Sequence, residues 1–332
     1  MKPTSEPHKV ASPAGKKMPD ERTIESWMRV FGKLYGRVDA NRTPAGMWIA
    51  ATAHFTTIGE AIRSMHFADL MQGAAHAFCW MCSFVLACQK AKGTVFFLDE
   101  TFSALVASKY PLVCGHCQEA YCHCNPQLMD RTKNKAAKYK ELLKLRTQLS
   151  GAYENYGVSE WLDIFGKIYG QNIHNLTLES IGFHFIEEAG EELTAIRNLL
   201  QLESAPNQVK GLDKSFLNEL STYKGVLDQY DKYVTMEPDP HKRDPESIKA
   251  RLVHAKVNMF IEFADTFSWF CSILNKVTSI ARNCNDDKNR EHEECFFTEH
   301  PFREKLSQEY LPKGRARCPS CKKCPCNCVF YG

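Results

Sequence analysis

The chain has 332 residues, 44% of them hydrophobic and 24% charged, with a formal net charge of +3. This is an ordinary globular composition with room for two or three domains, or one large one, and ample core. The charge is too small to argue for a nucleic-acid partner by itself.

Met1 to about Asp20 is rich in Pro, Lys and Ser and has no apolar run. Residues 1–22 read as a disordered leader, not a signal peptide, and the expectation is a cytoplasmic chain. Phe67–Cys88 and Val257–Leu274 approach the length of a membrane span, but each carries polar residues mid-span. Buried helices of a large bundle, with no membrane partner, are the expectation.

The next landmark returns later in the chain. Trp27-Met-Arg-Val-Phe31-Gly-Lys-Leu-Tyr35-Gly36 recurs as Trp161-Leu-Asp-Ile-Phe165-Gly-Lys-Ile-Tyr169-Gly170. His54-Phe55 returns as His184-Phe185, Trp80-Met-Cys-Ser83 as Trp269-Phe-Cys-Ser272, and Tyr110 as Tyr310. Cys114, Cys117, Cys122 and Cys124 return with the same spacing as Cys318, Cys321, Cys326 and Cys328. Matches in one fixed order indicate two copies of one unit, 23–127 and 157–330. Residues 128–156 join them, and the Lys-rich run from Lys133 to Arg146 reads as a solvated connecting helix. The second copy carries an insertion at about 202–255, in which Ser215–Tyr233 suits a helix and Met236-Glu-Pro-Asp-Pro240 does not. Ile186, Ala189, Leu193, Ile196 and Leu200 follow helical spacing, and no sustained alternation suggests a sheet. The expected fold is all-α, an internally duplicated helical bundle.

Two acidic pairs stand out in the second copy. Glu188 and Glu191 are three apart in Glu187-Glu188-Ala-Gly-Glu191-Glu192, so they share a helix face. Glu262 and Asp265 have the same spacing and are the only charges in Val257–Leu274. A buried carboxylate must be paired, protonated or metal-bound, and facing pairs offer hard oxygen ligands for Mg²⁺ or Mn²⁺. Lys276 and Arg282 follow on the same helix as candidates to meet phosphate, or as plain surface cations.

Glu187-Glu188-x-x-Glu191 followed by Glu262-x-x-Asp265 resembles the EExxE…ExxD signature of the MazG-like, all-α nucleoside triphosphate pyrophosphohydrolases. The resemblance covers most of the second copy, and the long insertion between the two halves of the motif departs from it. It implies hydrolysis of a nucleoside triphosphate to the monophosphate and pyrophosphate, with Glu188, Glu191, Glu262 and Asp265 holding Mg²⁺. Glu187 or Glu192 would then orient or deprotonate water. It also implies subunit pairing, so the first copy reads as a built-in pseudo-partner, with further homodimerisation open. In that copy Gly73 and His76 stand where Glu262 and Asp265 are, and at most one acidic ligand, Glu60, survives.

Each C-x2-C-x4-C-x-C run, 114/117/122/124 and 318/321/326/328, suits a tetrahedral Zn²⁺ of structural role. Disulfides, an iron–sulfur cluster and a substitute ligand, Cys324, are the alternatives. Two non-enzymatic readings stay open: a nucleotide-sensing module of the same fold, and a nucleic-acid-binding protein acting through its zinc knuckles.

Overall fold

The computed structural model describes residues 22–124, 135–149, 152–204, 212–236, 242, 244–286, 301–326 and 328. The expected leader and the Pro-rich break after Met236 lie outside them, apart from Arg22 and Met236 themselves. Among the described residues the regular structure is helical, apart from one isolated bridge between Thr23 and Gly157.

The helices are α1 (Ile24–Asp39), α2 (Pro44–Arg63), α3 (Phe67–Lys90), α4 (Phe102–Lys109), α5 (Lys135–Gln148), α6 (Val158–Asn175), α7 (Leu178–Glu203), α8 (Lys214–Glu219), α9 (Tyr223–Tyr233), α10 (Pro245–Asp286) and α11 (Pro301–Tyr310). Threonine opens five of them: Thr23, Thr43, Thr101, Thr177 and Thr222 each accept a backbone N–H from the first turn of α1, α2, α4, α7 and α9. That satisfies one donor that the helix leaves unpaired.

Two series of elements have the same order. α1, α2, α3, α4 and a Cys loop are followed, after α5, by α6, α7, α10, α11 and a second Cys loop. The core is α2 against α3, α7 against α10, and α2 across α7. Phe55 meets Phe185 edge to face at 4.9 Å across that middle contact. Gly182 allows the close crossing, because a Cβ there would come within 2.7 Å of Ile62 Cδ1.

Each series lends its end to the other. α4 packs on α10, and α11 packs on α3. Tyr110, just past α4, sets its ring 5.3 Å from Phe165 of α6, while Tyr310 of α11 sits 5.0 Å from Phe31 of α1. The Cys122 N–H donates to the Ile168 carbonyl at 2.7 Å, and the Cys326 N–H donates to the Leu34 carbonyl at 2.7 Å. The two halves therefore share one apolar core and cannot be separated without opening it.

Three expectations are corrected. The connecting helix α5 is not simply solvated: Leu142 is fully buried, and Arg146 reaches inward to Glu100 and Ser108. The helix expected over Ser215–Tyr233 is two, α8 and α9, broken at Leu220–Thr222. Thr222 starts a new helix there, and Gly225 lies so close to the Glu219 carbonyl that any Cβ would overlap it. The buried stripe of α7 runs through Phe185, Ala189, Glu192, Ile196 and Leu199. It shares Ala189 and Ile196 with the stripe read in the sequence, but Phe185, Glu192 and Leu199 replace Ile186, Leu193 and Leu200, and Ile186 and Leu200 are each 40% exposed.

α3 is long and apolar enough to cross a membrane, yet 72% of its most apolar window is buried among neighbouring helices. It serves here as a core helix.

Candidate metal centres

α7 and α10 lie along each other, and their contact gathers Glu188, Glu262 and Asp265. One oxygen from each carboxylate lies within 4.8 Å of the others. Oxygens around Mg²⁺ or Ca²⁺ stand about 2.0–2.6 Å from the ion, so they span roughly 4–5 Å across it. The three carboxylates fit one hard cation by distance and by donor type.

The remaining acidic candidates separate. Glu191 is exposed at the rim, close enough for its charge to be felt by Glu188 and Glu262 but outside the triad. Glu187 is exposed and its carboxylate lies 3.2 Å from His184 Nδ1. Glu192 is fully buried, and neither of its oxygens has a hydrogen-bond partner. Glu60 is exposed, ion-pairs with Arg63 and is not part of the triad. Lys276 stands eleven residues, about 16 Å, beyond Asp265 on α10. Its ammonium donates to the Ile173 and His174 carbonyls, at 3.3 and 3.1 Å, where α6 ends. Arg282 is on α10, but its side chain lies outside the described residues.

The first series supplies what the acidic pairs lack. Lys109, the last residue of α4, ion-pairs with Asp265, and the neighbouring Tyr110 hydroxyl donates to the other Asp265 oxygen. Both partners are buried, so the pair is little screened. Burial works against the Lys109 charge, but Asp265 and Glu262 beside it hold its pKa above the usual lysine value. On α5, Tyr139 feels the charges of Lys109, Asp265 and Glu262, and burial first, then the two acids, push its pKa up to about 12. Lys138 is also near; burial and Lys109 lower its pKa, and Asp265 acts in the opposite direction. Sequence reading missed these cations. The available signal was Lys109 itself, the only charge in the apolar run Phe102-Ser-Ala-Leu-Val-Ala-Ser-Lys109.

Burial and the crowding of acids hold protons in the site. Burial, then the Asp265 charge, raise Glu188 to about 7, and the same two causes raise Glu262 to about 9, with Lys109 opposing both. Burial and Glu262 push Glu192 well above the usual carboxylate range. A divalent cation would displace the protons on Glu188 and Glu262.

The matching position in the first series is built differently. His76 stands where Asp265 does, and its Nε2 is 3.5 Å from Glu309, the residue before Tyr310. The same cross-series contact is thus made with the places of acid and base exchanged, and burial lowers the His76 pKa. A cavity of ≈ 120 Å³ lies here, lined among others by Asp39, His54, His76, Trp80 and Tyr310.

The cysteine runs each close on themselves. In the first, Cys114 and Cys124 have sulfurs 3.8 Å apart. In the second, the separations are 3.8 Å for Cys318–Cys328, 3.7 Å for Cys321–Cys326 and 3.4 Å for Cys318–Cys326. A disulfide needs about 2.05 Å, and the edge of a tetrahedron with Zn–S of about 2.3 Å is about 3.8 Å. All eight cysteines are free, and each set of four gathers its sulfurs within 4.8 Å. The turns match as well: Gln118 N–H donates to the Cys114 carbonyl and Lys322 N–H to the Cys318 carbonyl, each at 2.9 Å. Gln118 and Lys322 both adopt positive φ, at 61° and 59°. Cys324 is exposed and outside its cluster.

No protein-family model, curated protein or solved structure matches this chain.

Two outcomes are expected. Reduced, purified protein should carry about two Zn²⁺ per chain by metal analysis; protein free of metal would reject both Cys centres. The raised Glu188 and Glu262 values lie above those of an unfolded chain, so their contribution to stability is complete below pH of about 4.5 and is lost as pH rises through about 7 to 9. In Mg²⁺-free buffer the melting temperature should therefore fall between pH 5 and 9. It should fall less with millimolar Mg²⁺, or in a Glu188→Gln/Glu262→Gln double variant. Identical pH profiles for that variant and the wild type would contradict the assignment.

Proposed function

We propose that this chain is a Mg²⁺-dependent nucleoside triphosphate pyrophosphohydrolase of MazG-like type, with its paired subunits fused into one chain and one working site. The observation that carries the reading is the convergence of Glu188, Glu262 and Asp265 from two helices, in the register of the EExxE…ExxD pattern. The repeated element order and the reciprocal Cys-loop bonds support a duplicated origin, with the first half as pseudo-partner.

In this reading Glu188, Glu262 and Asp265 hold the cation, with Glu191 at the rim to join them or bind a second ion. Bound there, Mg²⁺ supplies charge for phosphate oxygens and acidifies a water. Lys109 serves two ends. It pairs with Asp265 in the cation-free protein, and it offers positive charge to a phosphate group arriving at the same carboxylates. Lys138 adds a second cation from α5. These two replace Lys276, whose ammonium is occupied at the end of α6. Tyr110 holds the second Asp265 oxygen, fixing the direction in which that carboxylate points. Glu187 faces His184 at the surface and Glu192 is sealed in the core, so proton removal from water falls to a carboxylate of the triad or to Glu191.

The test is product analysis. Purified protein with Mg²⁺ and a panel of ribo- and deoxyribonucleoside triphosphates should release pyrophosphate and the monophosphate from at least one of them. Glu262→Gln should lower that rate by about a hundredfold or more. Release of no pyrophosphate from any nucleotide, or a Glu262→Gln variant as fast as wild type, would overturn the enzymatic reading.

A further inference from the structure

The first Cys loop is joined to the acidic triad by an unbroken run of side chains. Cys114 Sγ lies 4.0 Å from the Tyr169 hydroxyl. Tyr169 packs edge-on against Tyr110, ring centroids 6.1 Å apart, and the Tyr110 hydroxyl donates to Asp265. A second link acts on the same turn of α6, where the Cys122 N–H donates to the carbonyl of Ile168, the residue before Tyr169. Tyr110 and Cys114 are buried, and Tyr169 packs its ring parallel to Phe165 and edge-on to Tyr110. Little water is at hand to replace a lost contact, so a shift at one end is passed on rather than absorbed.

We propose that the metal held by Cys114, Cys117, Cys122 and Cys124 sets the cation affinity of the Glu188–Glu262–Asp265 site, with Tyr169 and Tyr110 as the positioning residues between them. A tetrahedral ion fixes the sulfur of Cys114, which gives Tyr169 a rigid stop. Tyr169 then holds Tyr110, and Tyr110 holds one Asp265 oxygen, leaving the carboxylate aimed at Glu188 and Glu262. With the loop empty, the sulfur is free to rotate and the stop is lost. The inference rests on reading the triad as a divalent-cation site.

The second Cys loop is an internal control. It is tethered in the same way, through Cys326 to Leu34, and Cys318 lines one cavity with Tyr35, the counterpart of Tyr169. The same cavity takes in Tyr310 and Cys79, and among the described residues no carboxylate triad gathers there.

The experiment is Mn²⁺ titration of the zinc-loaded full chain, read from the electron paramagnetic resonance signal of free Mn²⁺. Tyr169→Phe and Cys117→Ser should each weaken Mn²⁺ binding by about fivefold or more, whereas Tyr35→Phe and Cys321→Ser should leave it within about twofold of wild type. Because coupling is reciprocal, Mn²⁺ should tighten Zn²⁺ binding at the first loop by the same factor that the zinc tightens Mn²⁺. A correctly folded Tyr169→Phe protein, checked by thermal melting, that binds Mn²⁺ as wild type does would overturn the inference. So would equal losses from both loops, which would mark general loosening. If wild-type protein binds no Mn²⁺, the cation reading of the triad fails, and this inference fails with it.

Discussion

The structure depends on one buried charge and the way it is compensated. Asp265 sits inside an otherwise apolar stretch of α10. Removing a carboxylate from water without a partner costs several kcal/mol even after relaxation. Lys109 and Tyr110 offset that cost, and both come from the end of α4. The helix that carries the candidate cation ligands is therefore finished by residues from the other series. Site and architecture are one problem: the exchange of α4 and α11 that closes the core also delivers the ammonium to the acid.

The same exchange lets the two series differ without disturbing the fold. Where Lys109 meets Asp265 on one side, Glu309 meets His76 on the other. Each contact sets an acid beside a basic side chain, buried at Asp265 and half-buried at Glu309, so packing is served either way. Only one side also collects Glu188 and Glu262. On the other, Ile58 is buried in α2 and Gly73 has its would-be Cβ 3.3 Å from Ile58 Cγ1, so the space of two carboxylates is taken by close helix packing. The Cys loops are alike on both sides because they act on backbone carbonyls, Ile168 and Leu34, which any sequence supplies.

Much of this was legible in the sequence. Helical class followed from spacing, the paired Cys loops from their repeated interval, and the acidic candidates from charges stranded in apolar runs. Partner choice was not legible. A repeat shows that two units are alike but not that each lends its last helix to the other, since that is decided by how the shared core closes. Glu192 was misjudged because Leu193 was read into the buried stripe in its place; a single residue turns a helix by about 100°, enough to move a surface acid into the core. Lys109 was overlooked because a lysine at the end of a short helix usually lies in water, and only the buried acid opposite gives it a reason to be inside. α5 looked solvated because it is rich in lysine, yet Arg146 is spent on an inward pair with Glu100.

The central claim is that one cation binds among Glu188, Glu262 and Asp265, with Lys109 and Tyr110 of the other series behind it. Anomalous diffraction from crystals grown with Mn²⁺ tests it most directly. The account predicts a manganese peak bounded by those three carboxylates and none at the His76 position of the first series. A site between the carboxylates left empty at millimolar Mn²⁺, with Asp265 still held by Lys109 and Tyr110 alone, would contradict it.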